Sequence, residues 1–219
     1  MIYALLAIIC FIFVGIINRK IKKAKQKEGV TADLDEILIF DTETTGIFPD
    51  SEEILELAAI NGLGEVLFHE RFKPEKKKSW PKAQAIHGIK PADVKDCKPI
   101  NDYLPQLQEI FSKPKIICGY NVSFDLKFIH AAGIKTNAPG IIDVMKRFSD
   151  SRGIYDEKHG HNKWFKLEEA AKYYDYKFKP HGALEDCKAT LFVLKKLIKD
   201  NTKSKRHKPG QCIDRCYYQ

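Results

Sequence analysis

Two carboxylates one residue apart sit in the stretch ILIFDTETTG, residues 37–46. In an extended strand alternate side chains share a face, so Asp41 and Glu43 point the same way with their carboxylates close together. Like charges that close raise each other's pKa unless a cation lies between them. An all-oxygen donor pair suits a hard divalent ion such as Mg2+ or Mn2+. A bare DxE pair is equally the ordinary solvated end of a strand. Its meaning depends on what distant parts of the chain bring to it.

Two further acids and one imidazole stand out. Asp125, in GYNVSFDLKFI, falls one turn into a helix that follows a glycine-containing strand end; on its own, an acid there only compensates the helix dipole. Asp186, in HGALEDCKAT, shares a helical stripe with Ala183 and Thr190, while Glu185 falls on another face. His181 precedes that helix, just after Pro180, where it can reach over whatever Asp186 holds. Taken alone it reads as a residue of the N-terminal cap region.

As an ordered set, Asp41, Glu43, Asp125, His181 and Asp186 resemble the site of the DEDDh 3'-5' exonucleases of the DnaQ-like superfamily. Their three motifs, DxE, N-x-x-x-D and H-x-A-x-x-D, stand here as DTETTG, NVSFD and HGALED, and the resemblance spans 36–199. The segment AQAIHGI, 83–89, is similar to one in the bacterial proofreading branch of epsilon-subunit and PolC type. A related class carries tyrosine at the position of Gly182, so the histidine type is indicated.

The resemblance implies an α/β domain of ribonuclease H-like type, three layers α/β/α around a mixed five-stranded sheet. It implies hydrolysis from the 3' end of single-stranded DNA with two divalent cations, Mg2+ or Mn2+, releasing nucleoside 5'-monophosphates. Asp41, Glu43 and Asp186 are the implied ligands of the nucleophile-side ion, with Asp41 bridging to the second and Asp125 acting through water. His181 is the implied base, since an ordinary imidazole titrates near ~6.5 and can take a proton close to neutrality. The backbone at Thr44 and Thr45 is expected to receive the terminal 3' hydroxyl. Asn121 and Phe124 are expected beside the terminal nucleotide, with Phe128 either in that pocket or in the core. The HGI segment favours DNA over RNA. The alternatives are an exoribonuclease that trims RNA ends, and a tethered nucleic-acid-binding module with an inactive site. A polymerase or repair partner is left unnamed by the sequence.

The elements that must position these residues follow from periodicity and turn signals. Strands are expected at 37–41, 54–61 and 65–72, with Gly62-Leu63-Gly64 as the turn between the last two. An exposed lysine-bearing loop follows at 72–80. Helical spacing covers 100–111, a short strand 115–119, and a helix 122–132 closed by Gly133. Another short strand at 141–142 leads into a helix at 144–148. Beyond a loop containing Gly, His and Lys, helices are expected at 166–174 and 183–199.

The chain of 219 residues suits one domain with a full core and short appendages. Its net charge of +8 favours a polyanionic partner, nucleic acid or an anionic membrane surface. The six cysteines are scattered and suggest no disulfide framework; Cys118 and Cys187 lie in apolar contexts typical of reduced, buried thiols. Cys212 and Cys216, near His207, lack a standard zinc spacing and belong to a basic tail, 201–219, expected to be disordered.

At the other end, MIYALLAIICFIFVGII, 1–17, contains no charge and no proline. It is expected to be a single transmembrane helix, with a cleaved signal peptide or a core helix as the alternatives. Arg19, Lys20, Lys22, Lys23, Lys25 and Lys27 follow it in a basic linker, 18–36. They are expected to keep the exonuclease domain, 37–200, on the cytoplasmic side of the membrane and to rest on anionic headgroups.

Overall fold

The computed structural model describes residues 32–206. The expected membrane helix at 1–17, most of the linker and the end of the tail lie outside the described residues, among which no helix is long and apolar enough to cross a membrane.

Five strands form one sheet in the order β3-β2-β1-β4-β5: β1 (Ile37–Thr44), β2 (Ile54–Asn61), β3 (Val66–Arg71), β4 (Ile116–Gly119) and β5 (Gly140–Asp143). The first three are antiparallel neighbours, whereas β1 pairs in parallel with β4 and β4 with β5. The sheet is therefore mixed and five-stranded, as the resemblance implied. β1, β4 and β5 all end on the same side, where a parallel sheet presents its ligand-binding edge.

The first strand is longer than its apolar run. It was expected to stop at residue 41, but DTET stays in the sheet because β2 continues opposite it, with Asp41 facing Ala58 and Glu43 facing Glu56. A register shift between Glu43 and Thr44 marks the strand's end. At the β2–β3 turn the Asn61 side chain accepts the backbone N–H groups of Leu63, Gly64 and Glu65, which fixes the turn locally.

Seven helices lie around the described sheet: α1 (Pro81–His87), α2 (Pro91–Val94), α3 (Leu104–Ser112), α4 (Val122–Ala131), α5 (Val144–Arg152), α6 (Leu167–Tyr173) and α7 (Ala183–Arg206). Strand alternation decides which layer each residue meets. Leu38 and Phe40 of β1 join Leu107 and Phe111 of α3 and Leu126 and Ile129 of α4 in one core, where the Phe40 and Phe111 rings meet edge-on at 5.0 Å. The opposite face of the sheet is covered by α7, which packs on β1 and β2 and in turn carries α5 and α6. Its buried Cys187 thiol lies 3.4 Å from the Ala58 carbonyl.

The structure extends several expected elements. Helix α5 runs to Arg152 rather than 148, closed by Gly153 in the left-handed conformation at φ 62°, and α7 runs to Arg206, past the tail boundary expected at 201. The loop at 72–80 is anchored more firmly than its lysines suggest. Phe72 and Trp80 at its ends are buried, and the Glu53 carboxylate accepts the amides of Glu75, Lys76 and Lys77. The stretch between α5 and α6 contains a small hairpin, β6 (Tyr155–Asp156) with β7 (His161–Asn162), where only a loop was expected.

Candidate active site

Asp41 and Glu43 reach this edge from β1 on the face that packs against α7. Asp125 arrives from the first turn of α4, and the close start of that helix explains how. Gly119 ends β4, and a Cβ there would stand 3.0 Å from Val122 Cγ2 and 3.3 Å from the Phe40 carbonyl. Asn121 then caps α4 in the left-handed conformation at φ 62°, and its amide donates to Asp143 Oδ1 at 3.2 Å. Asp125 Oδ1 in consequence accepts both the amide of Thr42, at 3.0 Å, and its hydroxyl, at 2.7 Å. The third motif folds back on itself. His181 is left-handed at φ 67°, and its amide donates to Asp186 Oδ2 at 3.3 Å.

The fold thus gathers the four acids and the histidine, although they come from three separate segments. One ligand-capable atom each from Glu43, His181 and Asp186 lies within 4.8 Å of the others, a group able to hold a metal ion. Burial, and after it the charges of Asp125, Asp186 and Glu43, hold Asp41 well above the usual carboxylate range. Glu43 is pushed up to about 8 by burial and then by Asp186 and Glu56. Burial raises Asp125 to about 7 despite its two bonds from Thr42, and Asp186 to about 7 despite the bond from His181.

Among the described residues, the buried side-chain polar atoms without a partner are Asp186 Oδ1, Asp143 Oδ2 and Ser149 Oγ. An orphaned carboxylate oxygen in a cluster of mutually repelling acids is what a divalent cation satisfies, so the donor set fits such an ion.

Two further residues at this edge were not among the expected site residues. Glu56 faces Glu43 across the β1–β2 pair and is itself held below the usual range: burial acts upward, but the bonds from His69 at 2.9 Å and Arg71 at 2.8 Å outweigh it. A lone acid inside the apolar strand ILELAAIN was the available clue. His87, in the AQAIHGI segment, accepts the Ile89 amide at Nδ1, so Nε2 carries the proton and donates to the Thr44 carbonyl at 3.1 Å. Burial lowers its pKa, consistent with that neutral form.

The expected substrate contacts are placed as follows. The Thr44 hydroxyl donates to the Gly46 carbonyl, and Thr45 gives its hydroxyl to Glu52 and its amide to the Glu53 carbonyl. These groups shape the strand end from within. Phe124 is half-buried against Phe128, their centroids 5.1 Å apart, and Phe128 belongs to the core.

The family model of the RNase T exonucleases matches residues 38–194. The chain belongs to this exonuclease family. It is a nuclease, and so a hydrolase of phosphodiester bonds. The exonuclease is 29% identical over 167 residues to the PolC-type DNA polymerase III of Caldanaerobacter subterraneus subsp. tengcongensis, covering 74% of this chain but 12% of that protein. It is 33% identical over 171 residues to the PolC-type enzyme of Latilactobacillus sakei subsp. sakei, covering 75% of this chain and 11% of the relative. The chain thus spans about a tenth of the length of these polymerases.

Among solved structures, exonuclease X in complex with 5' overhanging duplex DNA aligns with a TM-score of 0.56 at 23% identity, covering 76% of this chain and 93% of that one. Exonuclease I of E. coli in complex with a dA16 oligonucleotide aligns with a TM-score of 0.59 at 23% identity, over 75% of this chain and 40% of that one. These two likenesses speak for the shared fold.

Proposed function

We propose that this exonuclease removes nucleoside 5'-monophosphates from the 3' end of single-stranded DNA, using two divalent cations, Mg2+ or Mn2+. The observation that carries the reading is the convergence of Asp41, Glu43, Asp125 and Asp186, all held above the usual carboxylate range by burial, beside His181. The polymerase relatives and the oligonucleotide-bound exonuclease I support DNA as the substrate.

In this reading the four carboxylates hold the ions, which would neutralise the scissile phosphate and stabilise the attacking and departing oxygens. The chain's own groups do the rest. A water oxygen attacks the terminal phosphorus and the P–O3' bond breaks, so the nucleotide leaves with its 5' phosphate and the shortened strand keeps a 3' hydroxyl. His181 takes the proton of the attacking water. Its Nε2 lies 3.7 Å from Glu168 Oε1, and one of its ring nitrogens lies within 4.8 Å of ligand-capable oxygens of Glu43 and Asp186. Thr42 fixes Asp125, and His87 fixes the end of β1 where the 3' terminus docks at Thr44 and Thr45. Asn121 and Phe124 stand at the α4 entrance to the same edge. We further propose that residues 1–17 anchor the enzyme in a membrane with the catalytic domain on the cytoplasmic side, from the apolar run and the basic residues that follow it.

The test is product analysis of 5'-labelled single-stranded DNA and RNA incubated with the full-length chain in Mg2+, Mn2+ or EDTA. Stepwise shortening that EDTA blocks is the expected result, faster on DNA. Faster shortening of RNA would reassign the enzyme to RNA trimming. No cleavage with any metal would leave a tethered binding module.

A further inference from the structure

The acid edge opens on one side into a cavity of about 400 Å3, where His181 and Asp186 share the wall with Tyr120, Met145, Trp164 and Phe165. Trp164 is half exposed, and flat rings continue outward from it. The His161 ring lies 4.5 Å from Trp164 at 15° between planes, and the His159 ring lies 5.8 Å from His161 at 25°.

This stack is built rather than accidental. His161 Nδ1 meets the Asn162 carbonyl at 2.7 Å and so carries the proton, while His159 Nδ1 is held on Asp156 Oδ2 at 2.7 Å. Asn162 ties the hairpin to α5 through Asp150 at 2.7 Å, and the Tyr120 hydroxyl donates to the Phe165 carbonyl at 2.8 Å, fixing the strap that bears Trp164. Lys158, Lys163 and Lys166 are exposed along the same segment, with Lys163 Nζ 5.2 Å over the Phe165 ring. Of the acids nearby, Asp156 is taken up by His159 and by the turn amides of Lys158 and His159, Glu169 accepts the Lys166 amide, and Glu157 and the cavity-lining Glu168 remain.

We propose that the free face of Trp164, backed by the His161 and His159 rings stacked behind it, is a platform for the base on the 5' side of the scissile nucleotide. The inference rests on the exonuclease reading and extends it. Every base offers a π face to a parallel aromatic ring, and lysines beside the rings meet the phosphates between bases, which is how single strands are held without regard to sequence. The platform touches the cavity that contains His181 and Asp186, so a strand whose end is at the acids has its next base over Trp164.

The test is the KM of the full-length chain in Mg2+ for a deoxyoctanucleotide and for the same strand with an abasic residue next to its 3' terminal nucleotide. The ratio of the abasic KM to the intact KM is expected to fall about tenfold in Trp164→Ala, on the scale of one lost base stack, and by less in His161→Ala, which removes only the backing ring. The ratio should recover in His161→Phe and Trp164→Phe. In EDTA the octanucleotide should quench the wild-type indole emission, and the quenched component should be missing from Trp164→Phe. An unchanged KM ratio in Trp164→Ala, or an unquenched wild-type indole, overturns the platform while wild-type degradation of both substrates leaves the exonuclease reading standing. Failure of the wild type to degrade either substrate overturns both.

Discussion

Glu43 and Glu56 face each other across one strand pair and both are buried, yet they behave in opposite ways. Glu56 has His69 and Arg71 of β3 bonded to it and is held below the ordinary carboxylate range. Glu43 has no such partner, shares its surroundings with Asp41, Asp125 and Asp186, and is pushed up to about 8. A buried acid that the chain itself neutralises belongs to the architecture. One left without a cation in the company of other acids marks where a cation from outside belongs.

The strongest way to break this contrast is to alter one acid from each side. Asp41→Ala should lower Mg2+-dependent nucleotide release by ~10³-fold or more, the scale on which a charge-stabilising group contributes to catalysis. Glu56→Gln, in a gel assay run beside it, should stay active. Comparable losses in both variants would erase the distinction. Next in size, His181→Ala should reduce kcat by ~10²–10⁴-fold with metal and strand binding retained, and unchanged turnover would remove the histidine from the proton-transfer role.

A third prediction concerns pH. Glu43, Asp125 and Asp186 titrate at about 8, 7 and 7 in the fold, against ordinary values of 4.5, 3.8 and 3.8. Because these pKa values are raised, the protonated forms favour folding: the contribution is complete below about pH 4 and disappears as pH rises toward 8. Melting in EDTA should therefore show Tm falling by roughly 5–10 °C from pH 5 to pH 8. Mg2+ should restore more at pH 8 than at pH 5. A Tm in EDTA that does not fall over that range would mean the acids are neutralised by something within the chain. The smallest effect belongs to the other side of the contrast. Arg71→Ala leaves Glu56 with one partner and should cost about 1–2 kcal/mol in urea unfolding, since Arg71 is half exposed, with nucleotide release almost unchanged.

The two acids also show what a sequence makes legible. Asp41, Glu43, Asp125, His181 and Asp186 could be read because each sits in a short motif whose spacing has a chemical meaning, and the strands and long helices could be read from their apolar periods. Glu56 was silent because its partners His69 and Arg71 belong to the neighbouring strand, and only register brings them opposite it. The role of His87 depends on a bond to a carbonyl forty-three positions earlier, Thr44, which no local pattern encodes. The β6–β7 hairpin was missed because its strands are two residues each, too short to show an alternation.

One feature of the third motif bears on how this enzyme tolerates change. His181 holds φ at 67°, a region that disfavours side chains with a Cβ by about 1 kcal/mol and suits glycine. A selection for heat resistance alone would favour His181→Gly, and would in the same step discard the group proposed to take the proton. Stability and turnover are set against each other at a single backbone torsion, so a library ranked by melting temperature should lose nucleolytic members at this position as well as at the acids.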